Sequence, residues 1–91
     1  MSKYCVVRTY SAGVHVGTLE MQNGKEVQLT NARRIWYWKG ANTLHEIALH
    51  GVGPGSKVSE TVPVISLTEA TEIIPCSAEA TENLKAAKWA K

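Results

Sequence analysis

Phenylalanine and aspartate are both absent from the 91 residues. Without Phe, ring volume for a core comes only from three Trp and three Tyr, so each aromatic is weighed as core before it is weighed as a ligand contact. Without Asp, every acid is a Glu, in polar contexts typical of strand edges and helix starts, and no carboxylate pair sits in a Gly-rich setting. There is no GxSxG elbow, and neither cysteine has a convincing His partner. Phosphate-cradling loops are missing as well: GVGPG around Pro54 has the wrong spacing for GxGxxG or a P-loop and follows a helical pattern rather than a strand. Nothing in the chain recommends catalysis, and no cofactor is implied.

Metal chemistry fares no better. His45 and His50 lie five apart, not the three or four that would place both on one helix face, and no acid or thiol completes a set with His15. All three histidines read as surface residues. Cys5 and Cys76 lie far apart in apolar surroundings and read as buried thiols rather than a disulfide or metal pair. With no secretory leader pattern and no apolar run long enough to cross a bilayer, the cytoplasm is the expected setting, without membrane contact. A formal net charge of +2, spread from Lys3 to Lys91, argues against long nucleic acid as the partner.

At 44% apolar and 20% charged, the composition is that of an ordinary globular protein with one modest core, so residues 1–91 form one domain that would gain from homo-oligomerisation. Residues 1–38 read as an antiparallel meander. YCVVRTY, Tyr4 to Tyr10, is rich in β-branched and aromatic residues, and Ser11-Ala12-Gly13 supplies a turn. A second strand runs from Val14 to Met21, where apolar parity changes across Gly17 as a β-bulge there would require. Asn23-Gly24 then marks a tight hairpin. Val27 and Leu29 alternate with polar Gln28, the pattern of a sheet with one wet face. Glu26–Thr30 and Arg33–Trp38 are either two strands, with Asn31 at a turn or bulge between them, or one long bent strand.

The spacing of Leu44, Ile47 and Ala48 predicts a short helix over 42–50, capped by Asn42 or Thr43 and stopped by Gly51. Residues 51–57 form a Gly/Pro loop, the expected mobile segment and the place for any lid. Residues 58–76 return to strand character, with Pro63 confining its strand to an edge or a bend. Ser77 caps a thinly amphipathic helix over 77–90. The fold class is therefore α+β: a mostly antiparallel twisted sheet of five to six strands, a short central helix and a C-terminal helix.

The chemistry concentrates in NARRIWYWKG, Asn31 to Gly40. A strand period of two puts Arg34, Trp36 and Trp38 on one face and Arg33, Ile35 and Tyr37 on the other. Rings beside guanidinium groups suit a ligand with flat bases and anionic phosphates. The candidate phosphate donors are Arg8, Arg33 and Arg34, with the backbone of Ser11, Ala12 and Gly13 as an anion nest. Trp36, Trp38 and Tyr10 are candidate stacking rings, and Asn31 opens the motif. Against this, Trp36 or Trp38 could fill the core, and one arginine could simply pair with a Glu.

Taken together, VRTYSAGV at Val7 to Val14, NARRIWYW at Asn31 to Trp38 and IIPC at Ile73 to Cys76 resemble a family of small proteins encoded by bacteriophages and prophages, over 6–80. The resemblance implies a phage protein acting in the bacterial cytoplasm and by itself implies no activity. By analogy, the Arg, Trp and Tyr inventory looks like what the pockets of phage anti-Thoeris and anti-CBASS sponges require. Those oligomers hold cyclic nucleotides or cyclic ADP-ribose derivatives without cleaving them. The favoured expectation is thus a non-catalytic binder of a small nucleotide signal. The alternatives are an inhibitor that docks on a host protein through an aromatic hot spot and a single-stranded nucleic-acid binder.

Overall fold

The structure is a computed structural model that describes residues 3–87. Six strands form one antiparallel sheet and two helices accompany it, in the order β1 (Lys3–Thr9), β2 (Val14–Asn23), β3 (Glu26–Tyr37), α1 (Leu44–His50), β4 (Lys57–Val58), β5 (Val62–Leu67), β6 (Ala70–Pro75) and α2 (Ala78–Ala86). The α+β architecture and the β1–β2–β3 meander are as the sequence implies. The path across the sheet is β4-β3-β2-β1-β6, and β5 also pairs with β3. The strand expected from Val58 to Leu67 is split, because its first residues pair with the end of β3 and its last six with the start. Pro63 accordingly lies in a strand paired on one side only, where its missing N–H costs no ladder bond. α2 ends at Ala86, with Ala87 already extended, short of the helix expected over 77–90, and residues 88–90 of that expectation lie outside the described residues.

Glu26–Tyr37 is one long strand, bent at Asn31, whose φ is 50°. The bulge expected at Gly17 needs correcting. β2 runs in regular register against β1 straight through Gly17, which faces Cys5. Between the pairs Val16↔Arg33 and Thr18↔Thr30, Gly17 faces both Asn31 and Ala32, so the extra residue belongs to β3. Gly17 is required because the bulged strand passes so close: a Cβ there would lie 3.1 Å from both the Ala32 Cα and the Thr30 carbonyl oxygen.

Val27 and Leu29 are buried and alternate with half-buried Gln28 and Thr30, whereas β1 is buried on both faces of the sheet. On one face Val6, Val16 and Ile35 pack under Ile47 and Ala48 of α1 and Leu84 of α2. On the other, Cys5, Val7, Val27, Leu29 and Ala32 meet Leu67 and Ala70. The second core exists because the sheet curls over on itself. Ala70 pairs with Thr9 of β1, and its N–H donates to the Lys25 carbonyl at 2.9 Å, at the tip of the β2–β3 hairpin. That hairpin must therefore fold back across the concave face and close a barrel-like wall.

The caps follow the sequence. Thr43 Oγ1 accepts from the Glu46 N–H at 3.3 Å, Ser77 Oγ accepts from the Ala80 N–H at 3.0 Å, and Gly51 ends α1 at a φ of 82°. Gly51 is also pressed against Asn83, whose amide donates to the Val52 carbonyl and accepts from the Val52 N–H, tying the Gly/Pro loop to α2.

Candidate functional site

The two adjacent arginines have opposite fates. Arg33 is buried on the helix side, where its Nε donates to the Ser59 carbonyl at 2.8 Å and its Nη1 donates to the Leu84 carbonyl at 2.8 Å. Those last carbonyls of α2 have no intrahelical partner, and a cation is the favoured group beside them. Arg33 thus anchors α2 to the sheet through Nε and Nη1 and, unlike Arg34, is not exposed. Arg34 is exposed on the concave side. It lines a hollow of about 250 Å³ with His15, Ala32, Ser59, Val62, Ile65 and part of Arg33, and no Trp or Tyr lines that hollow.

His15 is buried, not a surface residue. Its Nε2–H donates to the Ala12 carbonyl at 3.0 Å. Burial lowers its pKa below the ordinary value of 6.5, the Ala12 carbonyl opposes that shift and the Arg34 charge adds to it. His45 and His50 are exposed. The Ser11–Gly13 turn serves itself rather than an anion: the Ala12 N–H donates to Thr9 Oγ1 at 2.9 Å, and the Ser11 hydroxyl donates to the Glu69 carboxylate. A carboxylate at that turn disfavours a second anion beside Ser11, Ala12 and Gly13.

What the fold does bring together is Arg8 and Trp38. Arg8 stands on β1, on the face that carries Val6, and Trp38 follows β3 and packs half-buried against the helix-side core. They line one cleft of about 530 Å³ with Val14, Asn42, His45 and Glu72. Arg8 Nη1 lies 3.6 Å from the Glu72 carboxylate, with both side chains largely in solvent. Such a pair is worth about 0–1 kcal/mol, so an arriving phosphate can draw Arg8 away at little cost. A further hollow of about 400 Å³ is lined by Arg8, Thr9, Tyr10, Thr71 and Glu72, and Tyr10 is 82% exposed. Arg8 therefore lines two ring-bearing hollows. Trp36 is 53% exposed and lines none of these hollows.

Asn42 and His45 were not among the sequence candidates for this site. The only sequence signal for them is the short helix itself, whose start shares the cleft with Trp38. Burial raises the pKa of both thiols, Cys76 to about 12, where Cys5 also raises it and a backbone hydrogen bond from Val6 opposes. Among the described residues no group of three or more His, Cys, Asp or Glu is placed to hold a metal ion, and no helix is long and apolar enough to cross a membrane.

Fold and cleft together define a small α+β domain with an open, mixed aromatic and cationic pocket. Residues 2–84 match the family described as "Domain of unknown function (DUF6948)", and the chain belongs to that family. No curated protein and no solved structure matches it.

Proposed function

We propose that this protein binds, without cleaving, a small anionic molecule carrying a flat ring, of the nucleotide class, in the cleft between Arg8 and Trp38. The observation that supports this is their convergence on one cavity of about 530 Å³, within the range of roughly 300–1,000 Å³ typical of small-molecule sites. Trp38 offers a ring for stacking, and Arg8 offers a planar fork for phosphate oxygens. Asn42 and His45 at the rim supply polar contacts to a sugar or base edge, and Tyr10 is a second ring for a ligand that spans Arg8. By analogy with the pockets of phage sponges, the ligands we favour are nucleotide immune signals such as cyclic oligonucleotides or cyclic ADP-ribose derivatives. The biological role would then be sequestration in the host cytoplasm, by a homo-oligomer.

Calorimetric titration with cyclic dinucleotides, cyclic trinucleotides and cyclic ADP-ribose isomers tests this. One class should bind and be recovered intact, and Arg8→Ala should weaken it at least about tenfold, or ~1.4 kcal/mol. Failure of every nucleotide class to bind would end the proposal. A second reading, docking on a host protein, is favoured by Trp36, exposed at 53%, since such rings dominate protein hot spots. Stoichiometric capture of one host protein, lost in Trp36→Ala and kept in Arg8→Ala, would support that reading instead.

A further inference from the structure

A second cavity, of about 300 Å³, opens on the helix side of the sheet and is lined by Tyr4, Thr18, Asn31, Arg33, Thr61 and Lys85. It lies at the other end of β1 from the cleft: Tyr4 and Arg8 are about 13 Å apart along the strand, and the two cavities share no lining residue. Every lining side chain carries a hydrogen-bond donor, two are cations, and none is a carboxylate. Neither Arg33 nor Lys85 makes an ion pair among the described residues. Arg33 uses Nε and Nη1 on backbone carbonyls, and its remaining terminal nitrogen has no hydrogen-bond partner among the described residues. Lys85 Nζ stands 5.4 Å from the centroid of the Tyr4 ring.

The Tyr4 hydroxyl makes this more than a basic surface. Tyr4 is 8% exposed, and its hydroxyl is buried with no hydrogen-bond partner among the described residues. Buried polar groups are almost always satisfied, and an unsatisfied one costs stability. Burial, aided by Cys76 and opposed by Arg33, pushes the phenol up to about 12, so it stays protonated and is a donor at neutral pH. The bend at Asn31 exposes that side chain at the rim of the cavity.

We infer that this cavity is a second ligand site, for a small dianionic oxyanion of the phosphate-monoester class, held by Arg33 and Lys85 and completed by the Tyr4 hydroxyl. Two cations without an acid match the charge of about −1.5 to −2 that such a group carries at neutral pH. The site stands independently of the Arg8–Trp38 cleft.

The test is thermal shift and calorimetry of the full chain with inorganic phosphate, at constant ionic strength against chloride. Phosphate should raise the melting temperature saturably, and Lys85→Gln, at an exposed position, should weaken binding about fivefold or more. Tyr4→Phe should raise the melting temperature of the free protein, since it deletes an unpartnered buried hydroxyl, while shrinking the gain from phosphate. The saturable gain should persist in Arg8→Ala, which removes only the phosphate donor of the Arg8–Trp38 cleft. Glycerol phosphate binding more tightly than inorganic phosphate would identify a phosphate carried on a larger molecule, whereas tighter inorganic phosphate would identify the free ion. Either result supports the site. A phosphate response equal to that of chloride, binding untouched by both Lys85→Gln and Tyr4→Phe, or binding lost only in Arg8→Ala would overturn it.

Discussion

His15 is 1% exposed on the concave side of the sheet, beside Arg34, and its imidazole is held neutral there. A base whose folded pKa lies below its unfolded value is charged more readily in the unfolded chain. Between those two pKa values the unfolded state binds more protons, so stability rises with pH. The contribution is complete above 6.5, the ordinary histidine value, and is lost as pH falls below it. Urea midpoints measured on both sides of that pH should therefore drop on the acid side, and the drop should be smaller in His15→Gln than in the natural chain. Asn31 is the other residue whose role is local. At a φ of 50° a β-branched side chain clashes with the following carbonyl, so Asn31→Val should cost about 1–2 kcal/mol. Asn31→Gly, which suits that conformation, should stay close to neutral. Denaturant midpoints of the two variants check this directly, and equal losses in both would mean that the Asn side chain itself, not its backbone angle, matters.

Two arginines adjacent in sequence show what an element can and cannot reveal of itself. Strand alternation already says that Arg33 and Arg34 face opposite ways. It does not say which one is buried, because that depends on which face α2 covers, and α2 lies some fifty residues downstream. The same ignorance hid Tyr4: YCVVRTY alternates as a strand should, yet both of its faces are core, so the polar and apolar positions that mark a half-wet sheet are absent. The parity change across Gly17 misled for that reason too, since Val16 packs on the helix side and Leu19 against the concave core. Caps, turns and element types were legible because they depend on neighbours a few residues away. Arg33 gives the element-scale prediction. Arg33→Met removes the charged donor from the Leu84 and Ser59 carbonyls and leaves both buried ends unpaired, which should cost about 3 kcal/mol. Arg34→Ala, at an exposed position, should change stability by no more than about 0.5 kcal/mol. Equal losses in the two variants would refute the anchoring role and restore the view of the pair as one functional unit.

At the scale of the whole molecule, the Arg8–Trp38 cleft depends on a sheet that stays curled. β1 and β3 reach each other's ends only because β5 and β6 run on from one another through Thr68 and Glu69 and attach to opposite margins, β5 to β3 and β6 to β1. No pair of residues close in sequence encodes that closure. It follows from Leu67 and Ala70 entering a core that β1 and the β2–β3 hairpin also need. Leu67 is therefore the residue whose loss should open the wall. It is 4% exposed, whereas Val64, three residues earlier on the same strand, is 52% exposed. Leu67→Ala should cost about 2–5 kcal/mol, the range for a buried Leu that leaves a cavity, and in a domain of this size each kcal/mol lowers the melting temperature by roughly 4–8 °C. Val64→Ala should stay within about 0.5 kcal/mol. Hydrogen exchange separates loss of closure from general loosening. The Ala70 N–H, bonded to the Lys25 carbonyl at 2.9 Å, should lose protection in Leu67→Ala more than the Val6 and Val16 amides, which lie in the β1–β2 ladder. Uniform loss across all three would mean that the barrel-like curl and the helix-covered sheet unfold as one unit, and that the cleft is no more stable than the closure that shapes it.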